Sequence, residues 1–167
     1  MKKICFLSIL FFAAFHSFAQ CKFDYDKTDP FTNVKQQRLS IRGNMFFSMA
    51  YYRNNDDFRI ESYLSMNDAQ NFVVPVGSKL DIKLANGKII SLQNVEEGKP
   101  AQSLLGSLVI TNYAMSYKVT KEDLAAIAAS GITFIRTWYS DANYYDYEFK
   151  KKEPEKTMSG AQCILGK

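Results

Sequence analysis

Trp138, Tyr139, Tyr144, Tyr145 and Tyr147 form the densest aromatic cluster in the chain, within "ITFIRTWYSDANYYDYEFK" (132–150). Flat aromatic faces stack on sugar rings, so the chemistry on offer is glycan binding. Read as one hairpin turning at Asp141-Ala142-Asn143, the stretch alternates. Tyr145, Tyr147 and Phe149 then point inward, and Tyr144, Asp146 and Glu148 outward. The plainer role outweighs this one, because strands favour aromatics and use them to fill cores and pair across strands. Arg136 is in register with Phe134 and Trp138. It could hold an anion in a cleft, but an arginine in this setting more often lies in solvent and stacks on its aromatic neighbours. The candidate ligand contacts are Trp138, Tyr144 and Arg136.

Two acidic groups invite a metal reading. Asp56 and Asp57 stand in "NNDD", and Asp24, Asp26 and Asp29 in "DYDKTD". A calcium loop needs several oxygen ligands at set spacings, and neither stretch has them. The first reads as a polar turn and the second as solvated acids. No metal and no cofactor is expected. The paired carboxylates of a glycosidase are recognised by geometry, which spacing alone does not give.

The missing residue types exclude more than any motif suggests. The only histidine is His16, inside a segment expected to be removed. Without imidazole there is no Ser-His-Asp or Cys-His nucleophile, no histidine-bound zinc and no ordinary base near neutral pH. Once Cys5 is gone, Cys21 and Cys163 remain, too few for a four-cysteine zinc site. No Ser-x-x-Lys, Walker or Gly-x-Gly-x-x-Gly pattern is present. The expectation is a protein that is not an enzyme.

That removed segment is the N-terminus. Lys2 and Lys3 precede an apolar run, Ile4 to Phe15, of 12 residues. The run is too short to span a bilayer, which takes about 20. Ser17 and Ala19 supply the small residues of a cleavage site, so residues 1–19 read as a secretory signal peptide and 20–167 as a single β-rich domain. The two lysines leave with the signal, so 21 basic residues become 19 against 17 acidic. No clustered basic face remains to suggest nucleic acid. No later run reaches spanning length. The protein is expected to be exported, periplasmic or secreted.

Cys21 lies just beyond the cleavage point, after Gln20. Lipid attachment wants a small residue before the cysteine, and Gln20 is bulky, which argues against a lipid anchor there. Two cysteines in an oxidising compartment usually pair, so a Cys21–Cys163 disulfide is expected.

Most of the remaining chain reads as strand. "NVKQQRLSIR" (33–42) is one, and "NMFFSMAYYR" (44–53), apolar on both faces, suits a strand buried on two sides. "FRIESYLS" (58–65) alternates, with Phe58, Ile60 and Leu64 on one face and Arg59, Glu61 and Tyr63 on the other. In "KLDIKLANGKIISLQ" (79–93) a three-residue Ala85-Asn86-Gly87 loop pairs Ile82 with Ile90 and Leu80 with Leu92. That register puts four large apolar side chains on one face, with Gly87 in the left-handed position. "SLLGSLVITNYAMSYKV" (103–119) reads as one long strand bent near Gly106. "TKEDLAAIAASG" is a helix capped by Thr120, with Leu124, Ile127 and Ala128 as its packing stripe and Gly131 as its stop. "KKKEPEK" (150–156) reads as solvated loop, and no element is assigned to "SGAQCILGK". The fold expected is mainly β: a β-sandwich-like single domain with one short α-helix over an open end or edge. The alternative is α+β with that helix packed flat on one sheet.

"CKFDYDKTDPFT" (21–32), "YKVTKEDLAAIAASGITFIR" (117–136) and a cysteine near the C-terminus resemble a set of small exported bacterial proteins with a β-rich domain and no assigned activity. The resemblance implies export and one domain, and carries no functional residue. The function expected is an exported, non-enzymatic β-rich module binding a protein or glycan partner in the cell envelope. The alternatives are a periplasmic inhibitor or immunity-type protein, and a glycan-binding domain.

Overall fold

The computed structural model describes residues 21–166. The expected signal peptide, 1–19, lies outside them. Ten strands and two helices follow in the order β1 (Tyr25–Thr28), β2 (Lys35–Ile41), β3 (Phe47–Asn54), β4 (Asp57–Asn67), β5 (Lys79–Leu84), β6 (Ile89–Gln93), β7 (Ala101–Leu105), β8 (Leu108–Lys118), α1 (Lys121–Ser130), β9 (Ile132–Trp138), β10 (Tyr144–Glu148) and α2 (Glu153–Leu165). They form two antiparallel sheets, β1-β2-β3-β4-β8-β7 and β10-β9-β5-β6. The mainly β class is as the alternation requires.

The core is built from alternate residues of facing strands. Phe47, Met49 and Tyr51 of β3, Ile60 and Leu64 of β4, and Tyr113, Met115 and Tyr117 of β8 are buried. So are Leu80, Ile82 and Leu84 of β5, Ile90 and Leu92 of β6, and Ile135 of β9. The 79–93 hairpin has the expected register, Ile82 against Ile90 and Leu80 against Leu92. Gly87 sits at φ +86°, where an L side chain would be strained. Thr120 caps α1, its hydroxyl accepting the Asp123 N–H at 3.0 Å.

Three expectations are corrected. The stretch 103–119 is not one bent strand: β7 and β8 are a hairpin joined by the two-residue Gly106-Ser107 turn, with Leu105 opposite Leu108. Gly106 at φ +63° is the first central residue, the position where such a turn needs a positive φ. Second, β3 is central in its sheet but fully buried on one face only. Of its outward residues Ala50 is buried, while Ser48 and Tyr52 are half-buried under polar neighbours.

Third, the described residues hold two helices, and 153–165 is one of them. Pro154 sits in the first turn, where a missing N–H costs nothing, and Gly166 at φ +76° ends the helix. Its buried face is Thr157, Gly160, Ala161, Cys163 and Ile164. Small and polar residues in that stripe hide the usual apolar periodicity. α2 packs on β2, β3 and β9, and α1 packs on α2, so the pair closes one open side of the sandwich.

The close approach of α2 depends on Gly160. A Cβ there would lie 2.9 Å from Tyr51 Cε2 and 3.1 Å from Ile41 Cδ1. Beside it the buried Tyr51 hydroxyl donates to the Thr157 carbonyl at 3.1 Å. The Thr157 hydroxyl accepts from Ile132 N–H at 2.8 Å and donates to the Pro154 carbonyl at 2.7 Å. Docking α2 brings Cys163 to Cys21, and the two form a disulfide with Cα atoms 5.6 Å apart and a sequence separation of 142. The Cys21 sulfur is therefore occupied. Among the described residues no helix is long and apolar enough to cross a membrane.

Two outcomes are expected. Gly160→Ala destabilises by about 1–3 kcal/mol through overpacking against Tyr51, read by urea denaturation; unchanged stability would show that α2 shifts freely. Opening the disulfide by Cys163→Ser lowers stability by up to about 5 kcal/mol in the chain-entropy treatment of so long a loop. A two-proton mass deficit in the native protein reports the bond directly, whereas a diacylglycerol adduct on Cys21 would contradict it.

Candidate functional site on the outer face of the small sheet

The inward faces of β5, β6, β9 and β10 make core, and their outward faces mix polar residues with Ile89, Phe134, Trp138 and Tyr144. One row of that surface crosses all four strands: Asp146 is paired with Arg136, Arg136 with Asp81, and Asp81 with Ser91. Opposite charges in neighbouring register positions stabilise the sheet and fix one another. Arg136 and Asp146 form a two-pronged pair, Nε and Nη2 each donating over 2.8 Å. The paired carboxylate is the main reason the guanidinium is held firmly in its charged form.

Trp138 is one step along β9, paired with Tyr144 of β10. Its indole N–H donates to Asp81 Oδ2 at 2.8 Å, and Ser91 Oγ donates to Asp81 Oδ1 at 2.6 Å. Both carboxylate oxygens of Asp81 are thus engaged in orienting the ring. Tyr144 meets Trp138 edge-on with centroids 5.0 Å apart. The Arg136 guanidinium lies over Tyr144 at 3.9 Å and near Trp138 at 5.7 Å. The three residues expected to share a site, Trp138, Tyr144 and Arg136, are in contact. Arg136 stacks on its aromatic neighbours, as in the plainer reading, and is half-buried.

Trp138 forms one wall of a depression of about 420 Å³. The 75–78 loop (Pro75, Val76, Gly77, Ser78) also lines it, with Lys79, Asp81, Ser91, Ser140 and Asp141. The depression therefore offers one aromatic side chain, two apolar ones, two carboxylates, hydroxyls and an ammonium. That is a set able to stack on a ring and hydrogen-bond its substituents.

The rest of the aromatic cluster turns the other way. Tyr145 and Tyr147 stack on Phe47 with centroids at 6.2 and 4.9 Å, and Tyr139 stacks on Phe72 at 5.5 Å. Burial, then the nearby Glu153 carboxylate, pushes the Tyr147 phenol up to about 12. Asp81, Ser91 and Asp146 were not singled out by sequence. Their signal lay in the outward positions of two hairpins, but their meeting depends on β5 pairing with β9, a contact across some fifty residues.

The acids near the N-terminus lie at the surface as expected, Asp24 and Asp26 exposed and Asp29 half-buried, and each also has hydrogen-bond partners. Asp24 accepts from Arg38 Nη1 and Ser40 Oγ, both at 2.6 Å, and Asp26 accepts from Gln37 Nε2 at 2.9 Å. Asp29 accepts the backbone N–H groups of Thr32 and Phe31, which lower its pKa. Asp56 pairs with Lys121 at 2.8 Å and Asp57 with Arg59 at 2.8 Å. Each acid is used in a turn or an ion pair, and no metal-holding group occurs among the described residues. The outer face of the large sheet carries its own row, Tyr25, Arg38, Tyr52, Arg59 and Lys118. There Arg38 is tied to Asp24 and Glu61, and Arg59 to Asp57 and Glu96.

No family model, curated protein or solved structure matches this chain.

If Asp81 fixes the indole, Asp81→Ala frees it. Acrylamide quenching of Trp138, the sole tryptophan, is then expected to rise, and quenching equal to wild type would show that Asp81 does not hold the ring.

Proposed function

We propose that this chain is an exported, non-catalytic binding module and that it takes a carbohydrate on the Trp138 face of the small sheet. The observation that carries the reading is the pre-oriented indole. Trp138 walls a polar depression while Asp81 grips its N–H and Tyr144 packs its edge. A ring held before the ligand arrives loses little freedom on binding, which favours affinity. Asp141, Lys79, Ser78 and Ser140 stand around it as hydrogen-bonding groups for a polyol.

Export is supported by the signal-like N-terminus and by the Cys21–Cys163 bond, since disulfides persist in oxidising compartments. A non-catalytic role is supported by the absence of imidazole beyond His16. The periplasm or the extracellular medium would supply glycans of envelope or foreign origin.

Titrating an oligosaccharide panel against Trp138 fluorescence tests this. A saturable emission change with at least one glycan is expected. By calorimetry, Trp138→Ala should weaken that glycan at least about tenfold, equivalent to 1.4 kcal/mol. No spectral change across the panel, or unaltered affinity in the variant, would remove the reading.

A further inference from the structure

Four strands stand at sheet edges, and three of them are guarded. β1 is four residues long and carries Asp26 and Lys27. β10 carries Asp146 and Glu148. β6 runs on into Asn94, which bridges to Tyr117 of β8, while Val95 N–H donates to the Ser116 carbonyl. Charge, shortness and coverage are the usual means of blocking edge pairing.

β7 has none of them. All five of its residues are exposed, and residues 100–117 contain no Asp, Glu, Lys or Arg. Leu104, Leu105 and Leu108 are 77%, 60% and 60% exposed, and they lie on both faces of the hairpin tip. Among the described residues no strand pairs with the outer side of β7.

The register says which backbone groups are open. In a two-residue hairpin the residues flanking the turn exchange both hydrogen bonds, and the pattern alternates from there. Leu105, Ser103 and Ala101 therefore bond to β8 through their partners Leu108, Ile110 and Asn112. Gln102 and Leu104 turn their N–H and C=O groups away. Among antiparallel self-pairings only one engages all of these open groups. It sets Gln102 against Leu104 of a second copy, and Leu104 against Gln102, with the two-fold axis at Ser103.

We infer that β7 is a homodimer interface, in which two copies join by antiparallel pairing of β7 across a two-fold axis at Ser103. The occupant is a second copy because this strand is complementary to itself. Four backbone hydrogen bonds form, Leu105 packs beside Ala101 of the second copy, and no charge meets a like charge: Lys99 faces Ser107. The two large sheets would merge into one of twelve strands. Five residues a side fall well below a standard interface of about 20–30, so the dimer is weak, reversible and concentration-dependent. This inference is independent of the carbohydrate reading, because the Trp138 face lies on the other sheet.

The axis position gives the test. Opposed residues of a non-hydrogen-bonded pair have Cα atoms about 4.5 Å apart, within reach of a disulfide. Under mild oxidation Ser103→Cys is expected to yield a covalent dimer on a non-reducing gel. Ser107→Cys is the control, since its two copies would stand about 26 Å apart along the strands. Leu104→Pro removes an N–H that β8 does not use, so its melting should stay near wild type. In light scattering its dimer should weaken at least about tenfold for the two hydrogen bonds lost. If that variant fails to fold, Leu105→Lys keeps every β8 bond and should weaken the dimer likewise. A protein monomeric at all concentrations, or Ser103→Cys cross-linking no better than Ser107→Cys, would overturn the inference.

Discussion

The packing of α2 on Tyr51 is the constraint on which this fold turns. Tyr51 lies in the middle of the large sheet, fully buried, and its ring is covered by a glycine of the last helix. Its hydroxyl reaches the helix backbone at Thr157, whose side chain in turn receives the first N–H of β9. One side chain of β3 therefore sets the height of α2, and α2 sets the start of the strand that carries Arg136 and Trp138. A buried phenol must find a partner or forfeit its hydration, which makes this arrangement specific as well as favourable. The disulfide then fastens the far end of α2 to the chain just before β1.

With the interior fixed in this way, alternation divides each strand of the small sheet between two tasks. Tyr147 and Ile135 are core, while Asp146 and Arg136, their immediate neighbours, are surface. The site needs no loop of its own to hold Trp138. The indole is oriented by Asp81 two strands' width from β10, and Asp81 is itself held by Ser91. Each group in the row is gripped by its neighbour across the ladder, so the surface inherits the stiffness of the sheet.

What could be read from the sequence was local. The Asn86-Gly87 hairpin, the Thr120 cap and the outward placing of Tyr144 follow from short stretches whose pattern admits one good register. α2 escaped because Gly160, Ala161 and Thr157 occupy its buried face, and small residues contribute little apolar signal. They are there because a tyrosine ring, not an aliphatic core, is the surface they meet. The Gly106 turn reads as a bend because apolar residues flank it closely, Leu104-Leu105 before and Leu108-Val109 after, and only Gly106-Ser107 interrupts them. The pairing of β5 with β9, and so the Asp81–Trp138 contact, joins segments whose sequences carry no mark of each other.

The terminal disulfide has a mechanical meaning beyond its effect on unfolding. Cys21 and Cys163 bracket every strand and both helix starts. A load applied through residues before Cys21 and after Cys163 passes across one covalent bond and not through the hydrogen-bond ladders. The sandwich hangs beside the line of force as a closed ring, so stretching the chain by its ends leaves both outer faces in shape.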